Sequence, residues 1–332
     1  MISKILTTLL IANTLVFQAC ERTVTLFSEI NKSTEYHFGD TLLVSSNYEF
    51  GVEVNGWPIK PGSERLVDSS FYIIGENKLK FTYEIDGKHK STVRKIVVFP
   101  SKAPKELKYD IVESYNHGVD IYTEGLELYN DKIYESGGEY KKSKLIKYSK
   151  TEESSREEYV YPKEIFAEGI TIMNDTLYGL SYREHKIFRF KPNTLELIDA
   201  KNTPIDFEGW GLTNDGTSLI MSDGSNNIYY LSPRDYSIET ILQVYSNKGK
   251  VIYVNELEFV DGVIYANVFM QDVIIVVDAK TGAVLARLDF SDISNIHKKQ
   301  GVLNGIAKLE NGNFLITGKH WDKMYEIAID KN

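Results

Sequence analysis

Five short phrases hold the side chains of this sequence best placed to do chemistry. They are Tyr122-Thr123-Glu124-Gly125-Leu126, Phe166-Ala167-Glu168-Gly169-Ile170, Phe207-Glu208-Gly209-Trp210-Gly211-Leu212, Val254-Asn255-Glu256-Leu257-Glu258 and Leu303-Asn304-Gly305-Ile306-Ala307. Each opens a strand on the near side of a turn. If these are the innermost strands of a ring of sheets, equivalent positions converge on a central channel, and Glu, Glu, Trp, Asn and Asn meet in one pocket. Glycine at the equivalent place in four repeats lets backbones approach closely near the axis. Strand-start turns alone account for the glycines but not for the recurring polar groups. A carboxyl in a partly desolvated pore has its pKa raised, which suits general acid–base work near neutral pH. Oxygen ligands in such a channel could instead hold Ca²⁺, as in a calcium-dependent lactonase. A propeller that only binds peptides or glycans is a further alternative.

The repeat that positions these phrases is marked by turns at Asn130-Asp131, Asn174-Asp175, Asp215-Gly216, Asp261-Gly262 and Asn311-Gly312. Their spacing of about 41 to 50 residues is the length of one four-stranded propeller blade. Strands follow each turn, for example 132–136, 176–180, 218–222, 263–267 and 313–317, and another strand follows about ten residues later. Five units fill 107–332, which predicts an all-β, five-bladed propeller domain over 105–332. Residues 21–104 show short alternating runs with hairpin signals at Asn55-Gly56 and Asp86-Gly87. They predict a small immunoglobulin-like β-sandwich ending in a linker at Pro100 to Lys105.

Composition narrows the functions further. The formal charge of −9 over 332 residues, without a Lys/Arg cluster, excludes a nucleic-acid partner. The six histidines have no ligand spacing, so no zinc site is expected. There is no phosphate-cradling glycine loop and no nucleophile elbow. At the N-terminus Lys4 precedes the short apolar run Ile5 to Phe17, and the chain's one cysteine, Cys20, follows Ala19. This resembles a bacterial lipoprotein signal spanning 1–20, which implies export, lipidation at Cys20 and a membrane anchor. A single cysteine permits no internal disulfide.

The phrases Tyr-Thr-Glu-Gly-Leu-Glu (122–127), Tyr-Glu-Ser-Gly-Gly (134–138), Phe-Ala-Glu-Gly-Ile-Thr (166–171) and Glu-Gly-Trp-Gly-Leu-Thr-Asn-Asp-Gly (208–216) are followed in order by four more. These are Ser-Asp-Gly-Ser (222–225), Asn-Glu-Leu-Glu (255–258), Leu-Asn-Gly-Ile-Ala (303–307) and Thr-Gly-Lys-His-Trp (317–321). Together they resemble the plant and bacterial glutaminyl cyclases, or glutamine cyclotransferases, over essentially all of 107–332. The resemblance implies cyclisation of N-terminal glutamine to pyroglutamate with release of ammonia, on peptides or exported proteins. It implies Glu168 as the proton shuttle, and Asn255 and Lys319 as groups that orient the scissile amide and stabilise its oxyanion. Trp210 matches a pocket aromatic. Tyr182 and Phe269 stand where the family usually has Trp, Phe166 lines the same wall, and Tyr122 opens the first phrase. Glu124 stands where the family usually has Gln. An acid there could bind the substrate's α-ammonium but would resist its deprotonation. No cofactor is expected for catalysis, a structural Ca²⁺ in the channel is left open, and the chain is expected to be a monomer.

Overall fold

The computed structural model describes residues 34–43, 49–60, 64–204 and 206–330; Cys20 and the export signal lie outside them. The first part comprises β1 (Glu35–His37), β2 (Thr41–Leu43), β3 (Phe50–Val54), β4 (Trp57–Ile59), β5 (Glu64–Leu66), β6 (Gly75–Ile85) and β7 (Lys88–Phe99). Five of them form a sheet in the order β1-β7-β6-β3-β4, and β2 pairs with β5. In β6, Leu79 and Phe81 point inward and Lys78 and Lys80 outward, the alternation of a strand with one wet face. Leu42 of β2 packs into the same core as Val52, Val54, Ile96 and Val98. The two predicted hairpins are present: Asn55-Gly56 and Asp86-Gly87 both have positive φ at each residue, as two-residue turns of this kind require.

β8 (Lys105–Leu107) and β9 (Tyr109–Asn116) follow. The expected linker therefore ends inside a strand, because Lys105 is already paired. Five four-strand units come next, four of them built wholly from consecutive strands. The first holds β10 (Thr123–Tyr129), β11 (Lys132–Gly137), β12 (Lys144–Ser149) and β13 (Glu152–Val160). The second holds β14 (Ala167–Met173), β15 (Thr176–Ser181), β16 (Lys186–Phe190) and β17 (Leu197–Asn202). The third holds β18 (Leu212–Asn214), β19 (Leu219–Ser222), β20 (Asn227–Leu231) and β21 (Ile238–Gln243), and the hairpin β22 (Tyr245–Ser246) and β23 (Gly249–Lys250) trails it. The fourth holds β24 (Val254–Val260), β25 (Val263–Val268), β26 (Val273–Asp278) and β27 (Val284–Asp289), with β8 added in parallel at its edge. A short helix, α1 (Ser291–Ile296), leads to β28 (Leu303–Lys308), β29 (Phe314–Gly318) and β30 (Lys323–Ile329). The fourth strand of this last sheet is β9, from before the first sheet.

The first strands of the five sheets touch in cyclic order, β28 returning to β10. Apolar cores fill the spaces between successive sheets. Tyr134 and Leu145 meet Ile170 and Phe188 between the first and second, and Ala307 and Leu315 meet Leu126 and Ile133 between the fifth and first. Near the axis the packing is backbone on backbone. A Cβ on Gly169 would lie 2.3 Å from Leu212 N, and one on Gly211 would lie 2.1 Å from Asn255 O. In the fourth sheet Glu256 takes the place of that glycine. Its carboxylate accepts from Leu126 N at 3.2 Å and Ile306 N at 2.9 Å, tying three sheets together. Of the five turns, those at 130–131, 174–175 and 261–262 are two-residue hairpin loops. Those at Gly216 and Gly312 are longer, because β18 pairs from Asn214 to Leu219 and β28 from Lys308 to Phe314.

Candidate active site

Each sheet's first strand begins, and its second strand ends, at the same mouth of the channel. Residues at these two places must therefore converge. Glu124, Glu168, Trp210 and Asn255 sit at or just before the start of β10, β14, β18 and β24, with Tyr122 and Phe166 two residues ahead of the two acids. Tyr182, Phe269 and Lys319 directly follow β15, β25 and β29. These nine side chains line one pocket of about 180 Å³, whereas Asn304, expected there from its repeat position, lies behind the lining, hydrogen-bonded to Glu124 and Asn255. Two motif glycines leave room for them: a Cβ at Gly138 would strike the Phe166 ring at 2.4 Å, and one at Gly224 the Trp210 ring at 2.5 Å.

The polar end is closely paired. Glu124, Glu168, Asn255 and Lys319 are all buried. Lys319 Nζ donates to both oxygens of Glu124, at 2.7 and 2.8 Å, and lies 4.4 Å from the centre of the Tyr122 ring and 5.0 Å from that of Phe269. The carboxyl groups of Glu124 and Glu168 adjoin each other in the pocket lining. Burial pushes both upward, but Lys319 counters the rise at Glu124. At Glu168 burial and the neighbouring Glu124 charge act together, and its pKa stands well above the usual carboxylate range. Burial would lower Lys319, but its carboxyl neighbours, Glu124 foremost, outweigh it and raise its pKa above the ordinary lysine value.

The orientation of Asn255 follows from a chain of amides. Asn304 Nδ2 donates to Thr123 O at 2.9 Å and to Glu124 at 3.3 Å, so its oxygen faces Asn255, whose Nδ2 donates to it at 3.1 Å. Asn255 Oδ1 is left buried without a partner. That free atom is an acceptor, suited to an incoming N–H and unable to stabilise an oxyanion.

Three supporting groups lie behind the pocket. Asn304 was visible in its phrase but not as the link that orients Asn255. Glu208 accepts from Trp210 Nε1 at 3.1 Å and from Arg183, whose guanidinium lies 4.6 Å from the centre of the Tyr182 ring. The pair Glu208-Gly209 copies Glu124-Gly125 and Glu168-Gly169, but Trp210 takes the inner position. Among the described residues no group of three or more His, Cys, Asp or Glu side chains is arranged to hold a metal ion.

A sequence model of the family described as glutamine cyclotransferase matches residues 84–329. The chain belongs to this family. It is 31% identical over 232 residues to a glutaminyl-peptide cyclotransferase of Arabidopsis thaliana, covering 66% of this chain and 71% of the plant protein. Among solved structures it is similar to the glutaminyl cyclase of Myxococcus xanthus, with a TM-score of 0.64 and 28% identity, over 68% of this chain and 98% of that one. The family match begins at Glu84 in β6, so it takes in the last hairpin of the N-terminal part as well as the ring of sheets.

Proposed function

We propose that this protein is a glutaminyl-peptide cyclotransferase, converting N-terminal glutamine of peptides or exported proteins to pyroglutamate with release of ammonia. The observation that carries this is the buried Glu168 carboxyl, set with Asn255 and Lys319 in a pocket walled by Trp210, Tyr182, Phe166, Phe269 and Tyr122, in a chain of this family. The glutamine side chain enters between the rings. Asn255 Oδ1 receives an N–H of the γ-amide and turns its carbonyl toward Lys319, whose remaining proton meets the oxygen as it gains charge. The substrate's neutral α-amine attacks the γ-carbon. Glu168 gives the leaving nitrogen the proton it needs to depart as ammonia, a role suited to a carboxyl whose pKa burial and the neighbouring Glu124 charge raise well above the usual range. No cofactor takes part.

The five sheets, in this proposal, are the blades of a five-bladed propeller over 105–332, and 21–104 form an immunoglobulin-like spacer. Cys20 anchors the exported monomer to a bacterial membrane by its lipid. Radiolabelled palmitate incorporation, lost on Cys20→Ser, tests the anchor.

The activity is tested by ammonia release from a Gln-initiated dipeptide. The wild type should turn over, and Glu168→Gln should lose about 10²–10⁴-fold in kcat/KM. A folded wild type that releases no ammonia from any Gln-initiated peptide overturns the proposal.

A further inference from the structure

Glu124 and Glu168 bring two carboxyl groups together in one small pocket, and because two ionised carboxylates offer each other only acceptors, their close approach favours a single proton between them. Lys319 is positioned on one member only, bridging both oxygens of Glu124, while Asn304 Nδ2 adds a further donor to the same carboxylate. Every donor recorded on the pair thus favours charge on Glu124 and leaves the proton to Glu168. Because both side chains are buried, a second negative charge beside the first is poorly solvated and costly.

We propose that Glu124 and Glu168 act as a single-proton carboxyl pair, with Lys319 fixing Glu124 as the ionised member and Glu168 as the acid. This rests on the cyclotransferase reading and adds to it a base, at a position where the family resemblance leads one to expect glutamine. The α-amine nitrogen forms a bond to the γ-carbon, and one of its protons passes to the Glu124 carboxylate. Glu168 gives its proton to the γ-amide nitrogen, the C–N bond breaks and ammonia leaves. The proton on Glu124 then returns to Glu168, so the pair ends as it began. Glu124 already shares its charge with Lys319, so it is poised to take a proton from the attacking amine and is not an open site that would hold the amine as ammonium. The other charged or titratable groups facing the pair are Glu208, Tyr182 and Tyr122. Glu208 adds to the negative field and so also favours a protonated Glu168.

The test uses difference infrared spectroscopy at pH 7 on the full-length wild type, Glu124→Gln, Glu168→Gln and the double variant. Circular dichroism and thermal melting establish that each is folded. Each single variant should lose the carbonyl band of one protonated carboxylic acid, because in Glu124→Gln the freed Lys319 charge ionises Glu168. The double variant should lose the same amount and no more. A double loss equal to twice the single loss, or no loss in Glu124→Gln, overturns the pair.

Kinetics supply the second arm. In Glu124→Gln, kcat/KM at pH 8 should fall about 10²-fold, and the alkaline limb of the pH–rate profile should move to lower pH. Glu124→Asp should keep the wild-type limb, which also covers the case in which the Gln variant fails to fold. A Glu124→Gln profile that superimposes on the wild type overturns the pair while leaving the cyclotransferase reading intact. A wild type inactive on Gln-initiated peptides overturns that reading, and with it the pair's role in this reaction, whatever the carbonyl bands show.

Discussion

Replacing Gly169 by alanine tests whether the spacing of the inner strands sets the pocket. The added methyl would lie 2.3 Å from Leu212 N, 2.6 Å from Gly211 C and 2.7 Å from Trp210 O, all of them backbone atoms. A side chain could rotate away, but here the only relief is to part β14 from the segment leading into β18. Ordinary contact begins near 3.4 Å, so the two must separate by about 1 Å. Overpacking of this kind costs about 1–3 kcal/mol. The Gly169 N to Trp210 O hydrogen bond, now 2.8 Å, lengthens with it. The displacement also parts Glu168 from Trp210, which line the pocket from neighbouring sheets, and misplacement by about 1 Å can cost about 10²-fold in rate. Urea denaturation and ammonia release on the same preparation measure both effects. If Gly169→Ala keeps the wild-type midpoint and kcat/KM, close backbone approach does not position these residues, and that reasoning fails.

Three further outcomes are expected. Trp210→Ala should raise KM about 10–10²-fold with a smaller effect on kcat, since the ring contacts ground state and transition state alike; steady-state kinetics showing kcat reduced at constant KM would contradict this. Burial alone would raise Glu326, but Asn313, Asn311 and Tyr115 donate to it and, with the Lys150 charge, hold it at about 2. Its contribution is therefore complete above the unfolded value of about 4.5 and disappears as pH falls toward 2. Glu326→Gln should destabilise by about 1–3 kcal/mol at pH 7, and the gap from wild type should close by pH 2; a gap that does not change across acid denaturation curves would refute it. Chelation should leave kcat/KM unchanged, because the Lys319 ammonium in the pocket repels a cation; activity lost in EDTA and restored by calcium would show otherwise.

Much of this site was legible because its residues share a repeat position. Glu124, Glu168, Trp210, Asn255 and Asn304 occupy one turn of the pattern in successive units, and a ring of strands can only bring such positions together. The alternation around Leu79 and Phe81 and the two-residue turns were legible for a similar local reason, since strand period and positive-φ residues are written within a few positions. Partnerships across the ring were not. Lys319 meets Glu124 from 195 residues away, and no local pattern distinguishes that ion pair from two solvated charges. The edge pairing of β8 with β27 was equally hidden, because Pro100 to Lys105 has the composition of a linker whether or not its end adds to a sheet.

The strand that completes the last sheet has a consequence for how the molecule is made. β9 pairs with β30, and Tyr115 and Glu326, bonded across that seam, are 211 residues apart in the chain. The Lys319–Glu124 ion pair spans the ends of the ring in the same way, so the pocket is among the last features to form during synthesis. Bringing so distant a pair together costs on the order of 5 kcal/mol in chain entropy, recovered only when the seam zips. Folding should therefore be slow, as for other chains dominated by distant contacts, with four sheets able to collapse while β9 waits for the strands of the fifth. Refolding followed by tryptophan fluorescence should place ammonia-releasing activity in the final kinetic phase; activity appearing before the seam closes would disprove this order. A nascent chain arrested before β30 would then be compact yet inactive, and would leave the edge of β9 free to pair with another copy.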